Sequence, residues 1–408
     1  MNGAAKIERI RAVSRSFTPG APVSQLDMLA GRAEQLADIV SAAELPGQHI
    51  GLYGERGVGK TSLATVLAEY FSDTNDGHGP TAVVVNCSSE DDFTSLLGHV
   101  FAELLEDSDE SPDGYSPEYV RRRLQQLNAP ALIVIDELDR LDDDDALTAI
   151  ADTVKTLSDH RVPSTLVLVG VGHSMGDLIG EHASIVRALV QIEMPRMQPQ
   201  ELASIITTGC SMAGITAKEN AIADIVALSE GLPHYTHLLA LHAGLRTVQD
   251  DRSEITATDV RNAIPKAVDR HTIESDYQLA TRSARKDALF AQVLLACALA
   301  SKNKLGFFTS GAIRDPLEII AGRRIEIPAF SNHLSQFLEP ERGAILQREG
   351  SSRRYFYRFS DPIFQPYVVL NGLSQNLISD AQLRRIQHRE QDGHAPGDYE
   401  STPPRPLF

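Results

Sequence analysis

The chain has 408 residues, 42% of them apolar, and a formal net charge of −17. That length exceeds one ordinary core and predicts two or three domains, and a chain this acidic cannot coat nucleic acid through its overall field, so any such contact needs a local basic patch. No run of about 18 apolar residues is present to span a membrane, and Cys87, Cys210 and Cys297 lack C-x-x-C or histidine partners at ligand spacing, which argues against a zinc site or disulfide framework.

The N-terminal stretch MNGAAKIERIRAVSRSF carries charges but no apolar core with a small-residue cleavage site, so it does not read as a secretory signal. With three thiols expected to stay reduced, a cytoplasmic location is expected. HIGLY, residues 49–53, reads as a short buried strand. GERGVGKT follows as Gly54, Glu55, Arg56, Gly57, Val58, Gly59, Lys60 and Thr61, and fits the phosphate-loop (Walker A) pattern G-x-x-x-x-G-K-[ST]. Ser62 then opens SLATVLAEYF, in which Leu63, Val66, Leu67 and Tyr70 recur at helical spacing.

Strand, glycine loop and helix is the order a phosphate cradle requires. The glycines let successive N–H groups turn toward the phosphates, and the helix N-terminus adds positive dipole character. Lys60 is expected to reach the β and γ phosphates and the Thr61 hydroxyl to hold Mg²⁺.

TAVVVNCSS, residues 81–89, reads as a second buried strand, and EDSDESPDG, residues 106–114, as a mobile acidic loop. PALIVIDELDRL follows at residues 130–141. Its LIVI core is the doubly buried strand of a parallel sheet, and it ends in Asp136 and Glu137. Asp136 at the strand tip can orient Mg²⁺ through water, and Glu137 can polarise an attacking water. The pairing of this Walker B pattern with the phosphate loop points to ATP or GTP binding, with hydrolysis needing further parts. Asp142 to Asp145 read as a solvated helix start, since carboxylates favour that end. STLVLVGVGHS, residues 164–174, reads as another strand, and strands alternating with helices predict a parallel α/β sheet covered on both faces.

This order of motifs resembles an AAA+ ATPase. The entry segment FTPGAPVSQLDMLAGRAEQLADIV resembles the adenine-cupping segment of origin-recognition initiator ATPases and related transposition-associated ATPases. The resemblance runs over about residues 16–372. It implies that Phe17 to Pro19 and Leu29 to Arg32 lie near the base. It implies a γ-phosphate sensor at His173 or Ser174, where the family commonly has Asn. It implies an arginine that enters the neighbouring subunit's site, with Arg187 first and Arg196 second in line. A helical lid follows, whose sensor arginine is replaced here by His234 after the turn Ser229 to Pro233. Histidine donates to phosphate only weakly when neutral.

The apolar spacing of 198–265 is helical throughout, with Thr256 and Asp259 at a helix start, which suits such a lid. The expected domains are an N-terminal arm 1–48, an AAA+ core 49–197, the lid 198–265, a linker 266–285, a winged helix 286–372 and a disordered tail 373–408. The winged helix rests on DALFAQVLLACALA, RDPLEIIAG and AFSNHLSQFLEPERG as three helices, then ILQRE and RYFYRF as a hairpin joined by Gly-Ser-Ser.

Residues 286–372 are slightly positive while the remainder is strongly negative. The basic residues clustered there include Arg323, Arg324, Arg342, Arg348, Arg353, Arg354 and Arg358. Arg353 and Arg354 fall at the hairpin tip, where a wing straddles phosphates or enters the minor groove. Asn332, His333, Ser335 and Gln336 fall on the third helix, which would enter the major groove. The expected protein is therefore an ATP- and Mg²⁺-dependent switch that assembles on double-stranded DNA in a bacterial or archaeal-type cell, with ATP at subunit interfaces. Two other outcomes stay open: a signalling or defence NTPase whose winged helix binds a protein, and a scaffold that binds ATP and barely hydrolyses it.

Overall fold

The computed structural model describes residues 3–19, 32–73, 81–105, 114–172, 174–179, 185, 187–268, 271–283, 289–303, 306–351 and 354–391. In chain order the first elements are α1 (Gly3–Ser16), α2 (Ala33–Ala43), β1 (His49–Gly54), α3 (Lys60–Asp73), β2 (Thr81–Asn86), α4 (Phe93–Leu104), α5 (Pro117–Gln125), β3 (Ala131–Asp136), α6 (Asp144–Asp159), β4 (Thr165–Val171), α7 (Met175–Ile179), β5 (Leu189–Glu193) and α8 (Pro199–Met212).

The five strands pair in parallel in the order β2-β3-β4-β1-β5. Their apolar runs explain why. Every residue of β3 is buried, and so is all of β1 except Tyr53, as a sheet covered by helices on both faces demands. Ile50, Leu52, Ile133, Val134, Val167 and Val169 are each no more than 1% exposed, and each such side chain contributes about 1.5–3 kcal/mol by leaving water. β4 lies between β1 and β3, so the C-terminal ends of these three strands stand side by side. Gly54 pairs with Val171, and Ile135 with Leu168. Open α/β sheets place their sites at this edge.

β5 is not legible as a strand in the sequence. It lies at the sheet edge beside β1, and only Leu189 and Ile192 are buried, so its apolar signal is diluted. The acidic run behaves as expected: Asp143 caps α6, accepting from the N–H groups of Asp145 (2.9 Å) and Ala146 (3.2 Å).

The remaining elements are β6 (Thr216–Ala217), α9 (Glu219–Ser229), α10 (Pro233–Gln249), β7 (Glu254–Ile255), α11 (Ala257–Val268), α12 (His271–Thr281), α13 (Phe290–Ala298), β8 (Phe308–Thr309), α14 (Ser310–Ala321), α15 (Ile327–Gln336), β9 (Leu346–Ser351), β10 (Arg354–Phe359), α16 (Phe364–Ser374) and α17 (Asp380–Gln391). Contacts group Ser14–Ala213 and Gly231–His237 into one unit, and Met1–Val13, Gly214–Glu230 and Leu238–Phe408 into another. The sheet belongs to the first.

In the second unit, α11 packs on α9 and α16, and α13 on α14 and α16. The Asp259 carboxylate accepts from the Thr256 N–H (2.9 Å) and hydroxyl (2.7 Å), closing the helix start expected there. The order α13, β8, α14, α15, β9, β10 is compatible with the winged helix expected there. The antiparallel sheet β8-β10-β9 adds a two-residue strand too short to see in sequence.

Two expectations need correction. The segment expected as a linker, 266–285, contains α12, because Tyr277 and Ala280 are buried on one face and Tyr277 meets the Tyr367 ring edge-on at 5.9 Å. The segment expected as a disordered tail contains α17. Leu383 and Ile386 are buried, Ser379 caps the helix start with Gln382, and Arg384 and Asp380 pair with Asp224 and Arg261. Residues 392–408 lie outside the described residues. All three cysteines are free and buried, and no described helix is long and apolar enough to cross a membrane.

Candidate functional site

β1 delivers the chain into the loop Gly54 to Thr61, and α3 carries it away from Lys60. Gly57 and Gly59 adopt φ values of 85° and 98°, which other residues reach only with strain, so the loop N–H groups can form a concave nest. Lys60 is 7% exposed, and its ammonium donates to the carbonyls of Gly54 (3.0 Å) and Glu55 (2.9 Å). Burial lowers the Lys60 pKa to about 8, against the opposing pull of the Asp139, Asp136 and Glu55 carboxylates. Val58 is fully buried and Arg56 exposed.

Asp136 ends β3 and is 2% exposed. Its Oδ1 accepts from the Glu137 N–H at 2.7 Å. Burial pushes its carboxyl above the usual range, while the nearby Thr61 hydroxyl and the Glu137 N–H pull it down. Its Oδ2 is buried with no hydrogen-bond partner among the described residues. A buried carboxylate oxygen without a donor is costly, and a hydrated divalent cation beside Thr61 would satisfy it. This donor set, hard oxygens only, fits Mg²⁺.

Glu137 takes φ 55°, a left-handed turn that swings its side chain out of the strand direction, and Oε2 meets the Arg140 guanidinium at 2.7 Å. Both side chains are about half exposed, so solvent screens the pair and Glu137 can leave it. Asp139 is a site residue that sequence reasoning misses. Its Oδ1 accepts from the Val171 N–H at 2.7 Å, tying the turn after β3 to the tip of β4. Its one sequence signal is a further carboxylate within DELD.

His173 lies outside the described residues, and Ser174 is exposed. Arg187 is exposed just before β5. Arg196 departs from its expected place in a neighbouring subunit's site: Nε donates to Glu55 Oε2 of its own phosphate loop at 2.6 Å.

Arg32 is 2% exposed and lies beneath the loop, Nη2 donating to the carbonyls of Val58 (2.9 Å) and Pro195 (2.8 Å). Phe17 is 1% exposed, edge-on to His237 at 6.2 Å, while the Thr18 N–H donates to His237 Nδ1 at 3.4 Å. Residues 29–31 of the expected base-binding segment lie outside the described residues. Pro233, the first residue of α10, stands 3.8 Å from where a side chain on Gly59 would begin, which puts the His234 turn beside the loop.

On the segment expected as a winged helix, Asn332 and Ser335 are exposed on α15 and Gln336 is half-buried. His333 instead turns inward, its ring 4.6 Å from that of Phe290. Arg342 is also committed internally, 3.8 Å over Phe290 and donating to the Ala280 carbonyl at 2.9 Å. These two leave the expected DNA-facing set. Arg348 and Arg354 are exposed and lie over Tyr355 (4.4 Å) and Phe356 (5.2 Å) of the hairpin. Arg353 lies outside the described residues.

Residues 45–174 match the AAA domain family model. No curated protein matches the sequence of the chain. Among solved structures, the Aeropyrum pernix ORC2 protein, in ADPNP–ADP complexes, is similar at 15% identity, 93% coverage of this chain, 98% of that one and a TM-score of 0.52. Cdc6p from Pyrobaculum aerophilum is also similar, at 15% identity, 92% and 98% coverage and a TM-score of 0.49. The chain thus has the AAA+ P-loop fold, with the five-stranded parallel sheet as its core.

Proposed function

We propose that the chain is an Mg²⁺-dependent ATPase that uses ATP binding and hydrolysis as a switch for assembly on double-stranded DNA. The observation that carries the nucleotide half is the convergence of Lys60, Thr61, Asp136 and Glu137 at one edge of the sheet, with Asp136 Oδ2 buried and lacking a donor among the described residues. ADPNP and ADP are the ligands of the similarly folded Aeropyrum ORC2 protein.

Lys60 holds the phosphates, Thr61 and Asp136 hold the cation, and Glu137, released from Arg140, orients and polarises water. Mg²⁺ would supply charge neutralisation to the transferring phosphoryl group. Arg187, exposed before β5, is the arginine available to a neighbouring subunit's nucleotide, and Ser174 or His173 the sensor. His234, in the turn beside Gly59, completes the proposed phosphate surroundings. Winding the loop into helix α3 leaves the Ser62 N–H at the phosphate end.

The depressed Lys60 pKa gives a pH test. Phosphate binding needs the ammonium, and bound phosphate holds the proton on. As pH rises through about 8 the free protein loses that proton, so affinity should be flat below this point and fall by about tenfold per unit above it. Titration of a fluorescent ATP analogue across that range checks this, and a flat alkaline limb would remove Lys60 from the phosphates.

The DNA half rests on exposed Arg348 and Arg354 along the hairpin, with exposed Asn332 on α15. ATP turnover is expected to rise when duplex DNA is added. Replacing Arg348 and Arg354 together with alanine should weaken duplex binding about equally across sequences and flatten its salt dependence by up to about 2 in log–log slope. Unchanged binding would assign the hairpin to a protein partner.

A further inference from the structure

The phosphate loop carries a carboxylate where a polyanion is to be bound. Glu55 follows Gly54 directly, and its own carbonyl receives the Lys60 ammonium at 2.9 Å. Its side chain is only 17% exposed, so water screens its charge poorly. Left alone, that carboxylate would compete with phosphate for Lys60 and repel the ligand.

The segment leaving β5 answers this charge. The Met194 N–H donates to the Tyr53 carbonyl at 2.7 Å, the Pro195 carbonyl accepts from Arg32, and Arg196 Nε donates to Glu55 Oε2 at 2.6 Å. Arg196 is itself only 24% exposed. The turn before α10 closes over it: a side chain on Gly231 would begin 2.8 Å from Arg196 Cβ, and the Met197 N–H donates to the Gly231 carbonyl at 2.9 Å. Only glycine permits that approach, at φ 80°. Arg196 is therefore held in place from one side and pointed at Glu55 on the other.

We propose that Arg196 is a positioning residue for triphosphate binding, which acts by neutralising Glu55 inside the phosphate loop rather than by reaching a neighbouring subunit. The proposal rests on the nucleotide assignment of the loop. Glu55 then serves as an anchor that fixes the start of the loop, and Arg196 keeps its charge from the ligand. The effect must grow with the number of phosphates, because the repulsion does.

The test is a set of affinities for fluorescent ATP, ADP and AMP analogues, measured on the full chain with thermal melting alongside. Arg196→Ala should weaken ATP binding by about 30-fold or more, ADP less and AMP least. Adding Glu55→Gln to Arg196→Ala should restore ATP affinity to within about threefold of wild type. Arg196→Lys, which keeps the charge, should retain most of the affinity. ATP affinity unchanged in Arg196→Ala overturns the proposal. So does a double variant as weak as Arg196→Ala, which would mean that Arg196 touches the nucleotide itself or only supports the fold. A wild-type chain that binds no analogue would instead overturn the nucleotide assignment, and the proposal with it.

Discussion

Replacing Glu137 with glutamine should leave ATP bound and lower turnover by about 10²- to 10⁴-fold, the usual worth of a general base. The amide keeps the size and the hydrogen-bonding reach of the side chain but cannot take a proton from water. Glu137 contributes little to holding the loop: it stands in a left-handed turn past the end of β3 and its partner is the exposed Arg140. Binding and chemistry should therefore separate. Phosphate release measured at saturating ATP, with an ATP analogue titration in parallel, checks both halves. Normal turnover in Glu137→Gln would leave the chain with a nucleotide site but without this base. Running the same assay with and without duplex DNA shows in addition whether turnover is coupled to DNA.

Lys60→Ala should cost ATP affinity by about two to three orders of magnitude. Charge-assisted hydrogen bonds contribute about 1.5–3 kcal/mol each, and Lys60 is expected to make more than one to the phosphates. The substitution also leaves the Gly54 and Glu55 carbonyls without their donor, so part of the loss comes from a loosened loop. Lys60→Arg separates the contributions: it keeps the charge but cannot fit the buried position, and should recover only part of the affinity. Equal affinity in wild type and Lys60→Ala would remove the loop from nucleotide binding altogether.

The strand, glycine loop and helix around Lys60 and the end of β3 were legible because their physics is local. A glycine pattern between an apolar strand and an amphipathic helix has few other uses, and β3 is so uniformly apolar that its closing Asp136 stands out. What escaped depends on long-range contacts. Arg196 meets Glu55 across 141 positions and Asp139 meets Val171 across 32, and nothing nearby in sequence marks either pair. β5 escaped because an edge strand buries only two of its residues. α17 escaped because Leu383 and Ile386 are isolated apolar residues among charges, and their burial is a matter of what lies beneath them. Around α15 and the β9–β10 hairpin the residue types were legible but not their directions. His333 and Arg342 point at Phe290, leaving Asn332, Arg348 and Arg354 outward.

The buried cysteines have a practical consequence for labelling. Burial pushes the Cys87 thiol up to about 12 and Cys210 up to about 11, and raises Cys297 as well. Thiolate is the species that reacts with maleimides, so the native thiols are both shielded and protonated at neutral pH. A single cysteine introduced at exposed Asn332 would carry a dye alone, with no native thiol removed, and would report directly on what approaches α15.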